Sequence, residues 1–117
     1  MNKPTILESG SLLRQLQDDL GLTEDSVARA VGVDRRTVEC WRSNQSYPQG
    51  KSRERLAELL ALRDRLLEIT GSPDSAQEWL HSASLYLGGF TPEEALRAGR
   101  IDRVRADLDG IAAGVYL

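Results

Sequence analysis

Apolar residues in this chain recur every three or four positions, and a glycine or a proline ends each recurrence after a few turns. Leu12, Leu13, Leu16 and Leu20 have this helical spacing, and Gly21 follows them as a typical helix stop. No stretch of useful length alternates apolar and polar residues in the way that favours a β-strand. The sequence therefore predicts an all-α fold with about seven helices.

Capping residues and breakers set the boundaries of these helices. Thr91-Pro92-Glu93-Glu94, for example, combines an N-cap, a proline in the first turn and a capping-box glutamate. The predicted helices, with their caps, cover about residues 12–20, 23–30, 34–43, 52–69, 72–80, 91–99 and 101–114. The TGSP turn at 70–73 divides the chain into a domain at 1–70 and a second at 71–117. In the second, we expect Trp79, Phe90 and Leu96 to fill a small core.

Charge is distributed unevenly along the sequence. The 117 residues include 15 Lys and Arg against 18 Asp and Glu, for a net charge of −3. This acidic balance excludes a nucleic-acid binder that is strongly basic throughout. Residues 34–55, however, hold six basic and three acidic side chains, while the flanking segments are both acidic. DNA binding would therefore depend on this short segment.

Several other classes of function find no support in the sequence. A single Cys and a single His, Cys40 and His81, are too few for a zinc site or a disulfide framework. Asp102, Asp107 and Asp109 are spread around the last helix, so we expect them to be solvated or paired with arginines. We find no targeting signal, no apolar run long enough to span a membrane, and no catalytic triad. The sequence thus predicts a cytoplasmic protein that is not an enzyme and has no cofactor.

Residues 24–43 have the pattern of a helix-turn-helix, in which two short helices meet at a steep angle. Ala28 is the small residue required where the helices touch, and Gly32 allows the positive φ that the turn needs. Five apolar residues anchor the pair inward, namely Val27, Val31, Val33, Val38 and Trp41. The segment resembles the Xre/Cro-type helix-turn-helix family.

That resemblance implies that the second helix of the pair faces the major groove of DNA. Arginine can bind guanine edges or phosphates, whereas a glutamate repels phosphate unless it accepts a bond from a cytosine amino group. The residues that would face DNA are Arg35, Arg36, Thr37, Glu39, Cys40 and Ser43, with Arg42 beside the backbone. The alternative is a helix pair that only supports a protein interface.

The C-terminal half resembles the toxin-binding domain of the Xre/MbcA/ParS antitoxin family. The matching positions are Trp79-Leu80, Leu87-Gly88-Gly89, Thr91-Pro92, Leu96, Gly99, Val104, Leu108, Ile111 and Gly114. Members of the family place an Xre-like helix-turn-helix before this domain, as this chain does. One departure is Ala83-Ser84, where the family commonly has Pro-Asn.

The family resemblance implies a type II antitoxin that pairs with a RES-domain toxin, which consumes NAD. The C-terminal residues Gly114, Val115, Tyr116 and Leu117 would block the toxin's NAD pocket, unless this tail packs on its own domain. A homodimer is expected from the palindromic sites that helix-turn-helix proteins bind. The main alternative is a stand-alone Xre-type transcriptional regulator with a C-terminal oligomerisation domain. A weaker alternative is a structural adaptor.

Overall fold

The computed structural model describes residues 9–114 and shows seven helices and no strand within this range. The helices are α1 (Ser9–Leu20), α2 (Glu24–Val31), α3 (Arg35–Arg42), α4 (Gly50–Thr70), α5 (Pro73–Leu80), α6 (Pro92–Arg97) and α7 (Ile101–Ala112). This architecture confirms the predicted all-α fold.

Side-chain caps fix the start of three of these helices. The hydroxyls of Thr23, Ser72 and Thr91 accept hydrogen bonds from backbone N–H groups in the first turns of α2, α5 and α6. At Thr91 the capping box is complete, because the Glu94 carboxylate also accepts a 2.9 Å hydrogen bond from the Thr91 N–H. Asp34 occupies the N-cap position of α3 as predicted, but its side chain makes no capping hydrogen bond.

One hydrophobic core joins helices from both sides of the predicted boundary at residue 70. Leu13 and Leu16 of α1 and Leu66 of α4 belong to the same buried cluster as Leu96 of α6 and Leu108 of α7. These five side chains are at most 1% exposed. The C-terminal helices therefore complete the core that the N-terminal helices begin.

Polar contacts also fasten α2 to α6. The buried Ser26 hydroxyl donates a 2.7 Å hydrogen bond to the Glu93 carboxylate, across 67 positions of sequence. Beside it, Arg97 Nη2 lies 3.3 Å from the carboxylate of Asp25. These contacts, together with the apolar packing, fix the orientation of α6 on α2.

The prediction that Trp79, Phe90 and Leu96 fill a core in the C-terminal half is wrong for Phe90. Leu96 is buried and Trp79 is half-buried, but Phe90 is 61% exposed. The loop between α5 and α6 instead buries Leu87, and the neighbouring core is filled by aliphatic side chains such as Leu80. With Leu87 occupying the inward position, the Phe90 ring is left at the surface.

Candidate functional site

The N-terminal candidate site is formed by α2, α3 and the turn between them. Gly32 has a φ of 85°, and its N–H and that of Val33 both donate to the Ala28 carbonyl, at 2.8 and 3.0 Å. This left-handed glycine ends α2 and redirects the chain into α3. Ala28 is buried between the helices, as predicted. Of the five predicted anchors, Val27, Val31, Val38 and Trp41 are buried and Val33 is half-buried.

All seven residues predicted to face DNA or its backbone lie on α3 or at its C-terminal cap. Five of them are exposed, and Thr37 and Cys40 are half-buried. The exposed residues are Arg35, Arg36, Glu39, Arg42 and Ser43. The Ser43 hydroxyl is already engaged with its own helix, since it donates to the carbonyls of Glu39 and Cys40 at 3.1 and 3.2 Å.

Carboxylates offset part of the positive charge on α3. Glu24, at the start of α2, accepts a 2.8 Å hydrogen bond from Arg42 and lies 3.9 Å from Arg35. Glu39 also lies 3.3 Å from Arg35, one helical turn away. Among the described residues Arg36 forms no ion pair. The role of Glu24 depends on the packing of α2 against α3, so no local sequence signal could have revealed it.

The C-terminal candidate site is described only in part. Of the four residues predicted to contact a toxin, the structure places Gly114, which has a φ of 75° and whose N–H donates to the Ile111 carbonyl. Val115, Tyr116 and Leu117 lie outside the described residues. The left-handed conformation of Gly114 ends the helical backbone of α7.

An apolar groove of about 570 Å³ lies beside the C-terminal end of α7. Its walls are Trp79, Ser82, Ala83, Ser84, Leu85, Tyr86, Asp107 and Ile111, and we refer to it as the C-terminal groove. Leu85 is 98% exposed and Ile111 is 40% exposed. Ile111 is one of the positions that resemble the antitoxin family, whereas no sequence pattern indicated Leu85 or Tyr86 as surface features.

Ser84 organises the loop that forms one wall of this groove. Its N–H donates to the Phe90 carbonyl at 3.0 Å, and its carbonyl accepts the N–H groups of Leu87 and Gly89. Its hydroxyl donates to the carboxylate of Asp107 at 2.7 Å. Asp107 is 2% exposed, so the prediction that it is solvated or paired with an arginine is wrong. Because Asp107 lies on the inner side of α7, it fixes the loop rather than facing solvent.

Two arginines border the loop. The Arg103 guanidinium lies 5.3 Å from the centre of the Tyr86 ring and donates to the Tyr86 carbonyl at 3.5 Å. Arg100 donates two hydrogen bonds to Asp102, at 3.0 and 2.9 Å, and this pairing lowers the pKa of the Asp102 carboxyl to about 2. Asp102 therefore stays charged at neutral pH and holds Arg100 in place.

The residues 9–114 contain no group of three or more His, Cys, Asp or Glu side chains able to hold a metal ion. Cys40 is a free, half-buried thiol on α3. The His81 ring lies 2.9 Å from the Gln77 carbonyl, at the C-terminal end of α5. In the same range no helix is long and apolar enough to cross a membrane.

Comparison with known proteins places this arrangement in a family. The sequence is 35% identical over 98 residues to the mycobacterial cidal antitoxin MbcA of Mycobacterium tuberculosis (strain ATCC 25618 / H37Rv), with 84% of this chain and 86% of the relative covered. The chain belongs to the Xre/MbcA/ParS antitoxin family. A probable mycobacterial cidal antitoxin of the same strain is 31% identical over 99 residues, covering 83% and 82% of the two chains.

Two further matches agree with membership of this antitoxin family. Residues 65–114 match the family described as the antitoxin Xre/MbcA/ParS C-terminal toxin-binding domain. A chain in the crystal structure of the M. tuberculosis MbcT–MbcA toxin–antitoxin complex superposes with a TM-score of 0.67 at 32% identity, covering 92% of this chain and 96% of that chain. The C-terminal groove lies within the span of the family match, which begins inside α4.

Proposed function

We propose that this antitoxin belongs to a type II pair and neutralises a RES-domain toxin that consumes NAD, by blocking the toxin's active site with its C-terminal region. The observation that carries this proposal is the similarity, over nearly the whole length of both chains, to a chain of a toxin–antitoxin complex. The RES domain and its use of NAD come from the family resemblance. The antitoxin itself needs no cofactor for this role.

The chemistry of the C-terminal residues supports a blocking role. Tyr116 offers an aromatic ring for stacking and a hydroxyl for hydrogen bonding, which suit a pocket that binds a dinucleotide. Gly114 ends the helical backbone just before these residues. A short segment with these groups is well suited to enter a pocket shaped for an anionic dinucleotide.

Deletion of residues 115–117 tests the proposal. We expect cells that co-express the RES-domain toxin to recover growth and NAD content with the intact chain, but not with the truncated chain. A Tyr116→Phe variant, which keeps the aromatic ring and the neighbouring residues, serves as the matched control and is expected to retain most of the protection. The thermal unfolding midpoint of the truncated chain should stay unchanged, because the core lies within residues 13–108. Full rescue by the truncated chain would rule out the blocking tail.

We also infer that the antitoxin binds the operator of its own operon through α3. Exposed Arg35 and Arg36, at the start of α3, support this role, and the turn at Gly32 presents the helix outward. We expect Arg35→Ala with Arg36→Ala to weaken operator binding about tenfold or more in a mobility-shift assay. Arg14→Ala with Arg105→Ala removes the same charge from exposed sites outside α3 and should have a smaller effect. An intact chain that binds no operator, alone or with toxin, would refute this role.

In this proposal the antitoxin acts in the cytoplasm, where NAD and operator DNA are found, and it forms a homodimer within a larger toxin–antitoxin complex. The alternative function is a stand-alone Xre-type regulator whose C-terminal half only oligomerises. Growth rescue separates the two, because such a regulator binds its operator but gives no protection from the toxin.

A further inference from the structure

The C-terminal groove contains a buried carboxylate that no basic side chain neutralises. Asp107 is 2% exposed and lines the groove, and within the described residues it forms no ion pair. The two arginines nearest to it along α7 are engaged elsewhere, since Arg103 lies over the Tyr86 ring and Arg105 pairs with Asp109 at 3.3 Å. A buried charge without a counterion is costly, so a cation that reaches Asp107 gains binding free energy.

One oxygen of the Asp107 carboxylate is available to a ligand. The Ser84 hydroxyl donates to Oδ2 at 2.7 Å, and Oδ1 accepts no hydrogen bond from the described residues. In the same part of the chain, Gln17 Oε1 is the one fully enclosed side-chain polar atom without a partner. Oδ1 of Asp107 is therefore not enclosed, and it opens to the groove that Asp107 lines. An asparagine would accept the Ser84 hydrogen bond as well, so holding the loop in place does not by itself require a charge here.

The other polar groups of the groove also favour a donor over an acceptor. The hydroxyl protons of Ser82 and Ser84 are already donated, to the Glu78 carbonyl and to Asp107 respectively. The oxygens of both hydroxyls can still accept hydrogen bonds. Among the described residues that line the groove, none is a lysine or an arginine. The polar part of the groove is thus suited to a cationic group that donates several hydrogen bonds.

The remaining walls suit an apolar stem attached to that cation. Leu85 and Ile111 are aliphatic, and the half-buried Trp79 adds an aromatic ring, which attracts apolar groups and cations alike. The volume of about 570 Å³ is within the range of about 300–1,000 Å³ that is typical of small-molecule sites. A stable protein interface, in contrast, covers about 800 Å² on each partner. The groove therefore has the size and the chemistry of a site for a small molecule.

We propose that the C-terminal groove binds a small organic cation, an ammonium or guanidinium group on an aliphatic stem. The cationic head donates hydrogen bonds to Asp107 Oδ1 and to the Ser84 hydroxyl oxygen, while the stem lies against Leu85 and Ile111. The charge of Asp107 excludes an anion, and a purely apolar ligand would leave this carboxylate desolvated without a partner. The site belongs to the antitoxin on its own, so this inference does not depend on the proposed function.

NMR titration of the intact, ¹⁵N-labelled antitoxin with pentylamine tests the proposal, with 1-pentanol as the uncharged probe of the same stem length. At constant ionic strength we expect pentylamine to shift the Trp79 indole N–H signal saturably, with a Kd of about 1 mM or lower. The Kd for 1-pentanol should be at least about tenfold higher, because it forms no charge-assisted hydrogen bond. The indole signal of Trp41, which is buried outside the groove, should not move and serves as an internal control.

Asp107→Asn removes the charge and keeps an acceptor for the Ser84 hydroxyl. We expect it to raise the Kd for pentylamine at least about tenfold, with the unfolding midpoint as the check on the fold. Asp109→Asn removes the same charge from an exposed position on α7 outside the groove, and should leave that Kd within about twofold of the intact value. Leu85→Ser, at a wall residue that is 98% exposed and whose substitution does not disturb the core, should raise the Kd about threefold or more.

Three results would overturn the proposal. Equal affinity for pentylamine and 1-pentanol would mean that the groove binds by apolar contact alone. Equal pentylamine binding by the Asp107→Asn and Asp109→Asn variants would mean that the cation responds only to overall charge. If the intact chain binds no pentylamine while Asp107→Asn weakens a complex with the toxin, the carboxylate belongs to a protein interface. None of these results contradicts the proposed function, which is tested by growth rescue.

Discussion

The carboxylate of Asp107 is almost inaccessible to solvent, and the Ser84 hydroxyl donates to it at 2.7 Å. A buried carboxylate has lost most of its hydration, so each hydrogen bond that it accepts contributes more than it would at the surface. This bond connects α7 to the loop that carries Leu85. One residue pair thus determines both the local stability and the position of a groove wall.

We expect Ser84→Ala to destabilise the fold by about 1–3 kcal/mol, because it leaves the buried Asp107 carboxylate without this donor. The measurement is the free energy of unfolding in urea. Ser82→Ala is the matched control, since the exposed Ser82 hydroxyl donates only to the Glu78 carbonyl of the preceding helix α5. The control should change stability by less than about 0.5 kcal/mol. Equal losses in the two variants would contradict the role given to Asp107.

Glu24 competes with DNA for the arginines of α3. Its carboxylate binds Arg42 and lies near Arg35, and a phosphate would have to displace it. We therefore expect Glu24→Gln to tighten binding to operator DNA and to steepen the dependence of log Kd on log salt, because more phosphate contacts then form. Fluorescence anisotropy across a salt series measures both quantities.

Glu78→Gln is the control for Glu24→Gln, because it removes the same charge from an exposed position on α5. If overall charge alone were responsible, both variants would show the same change in Kd for DNA and in its salt dependence. That result would show that Glu24 has no specific effect on α3.

At the scale of whole elements, the start of α1 lies directly against the end of α3. The Ser9 hydroxyl donates to the Trp41 carbonyl at 2.8 Å, and the Gly10 N–H donates to the Asn44 side chain at 3.2 Å. A Cβ atom on Gly10 would collide with the backbone carbonyl oxygen of Arg42. Glycine at this position therefore permits the contact between the two helices.

Gly10→Ala should consequently destabilise the fold by about 1–3 kcal/mol, even though alanine is the better helix former. The thermal unfolding midpoint should fall relative to Ser11→Ala, an exposed substitution at the adjacent position. A Gly10→Ala variant as stable as the intact chain would mean that α1 can shift away from α3 at little cost.

Elements were predictable from the sequence where local chemistry defines them. The cap at Thr91 and the stop at Gly32 depend on neighbouring residues only, and both helix ends were predicted correctly. The roles of Glu24, Asp107 and Phe90 depend on which helices pack together, and spacing along the chain does not contain that information. The same reason explains why the C-terminal groove was not predicted, since its walls come from α5, a loop and α7.

At the scale of the whole molecule, the shared core predicts one cooperative unfolding transition. Leu96→Ala should lower stability by about 2–5 kcal/mol. The two tryptophans report on different parts of the chain, Trp41 on α3 and Trp79 on α5. In two chains that each keep only one of these tryptophans, Leu96→Ala should therefore lower the urea midpoint by the same amount. A shift confined to Trp79 fluorescence would mean that residues 1–70 fold independently.

The contacts from Ser26 to Glu93 and from Arg97 to Asp25 have a consequence for the geometry of assembly. They make α2 and α6 parts of a single rigid frame, with α3 attached at one side and the C-terminal helix at the other. If both proposed sites are used, a bound toxin stands at a fixed angle and distance from the DNA axis. The spacing between operator half-sites would then depend on the size of the toxins and on the distance at which the rigid antitoxin frame holds them from the DNA.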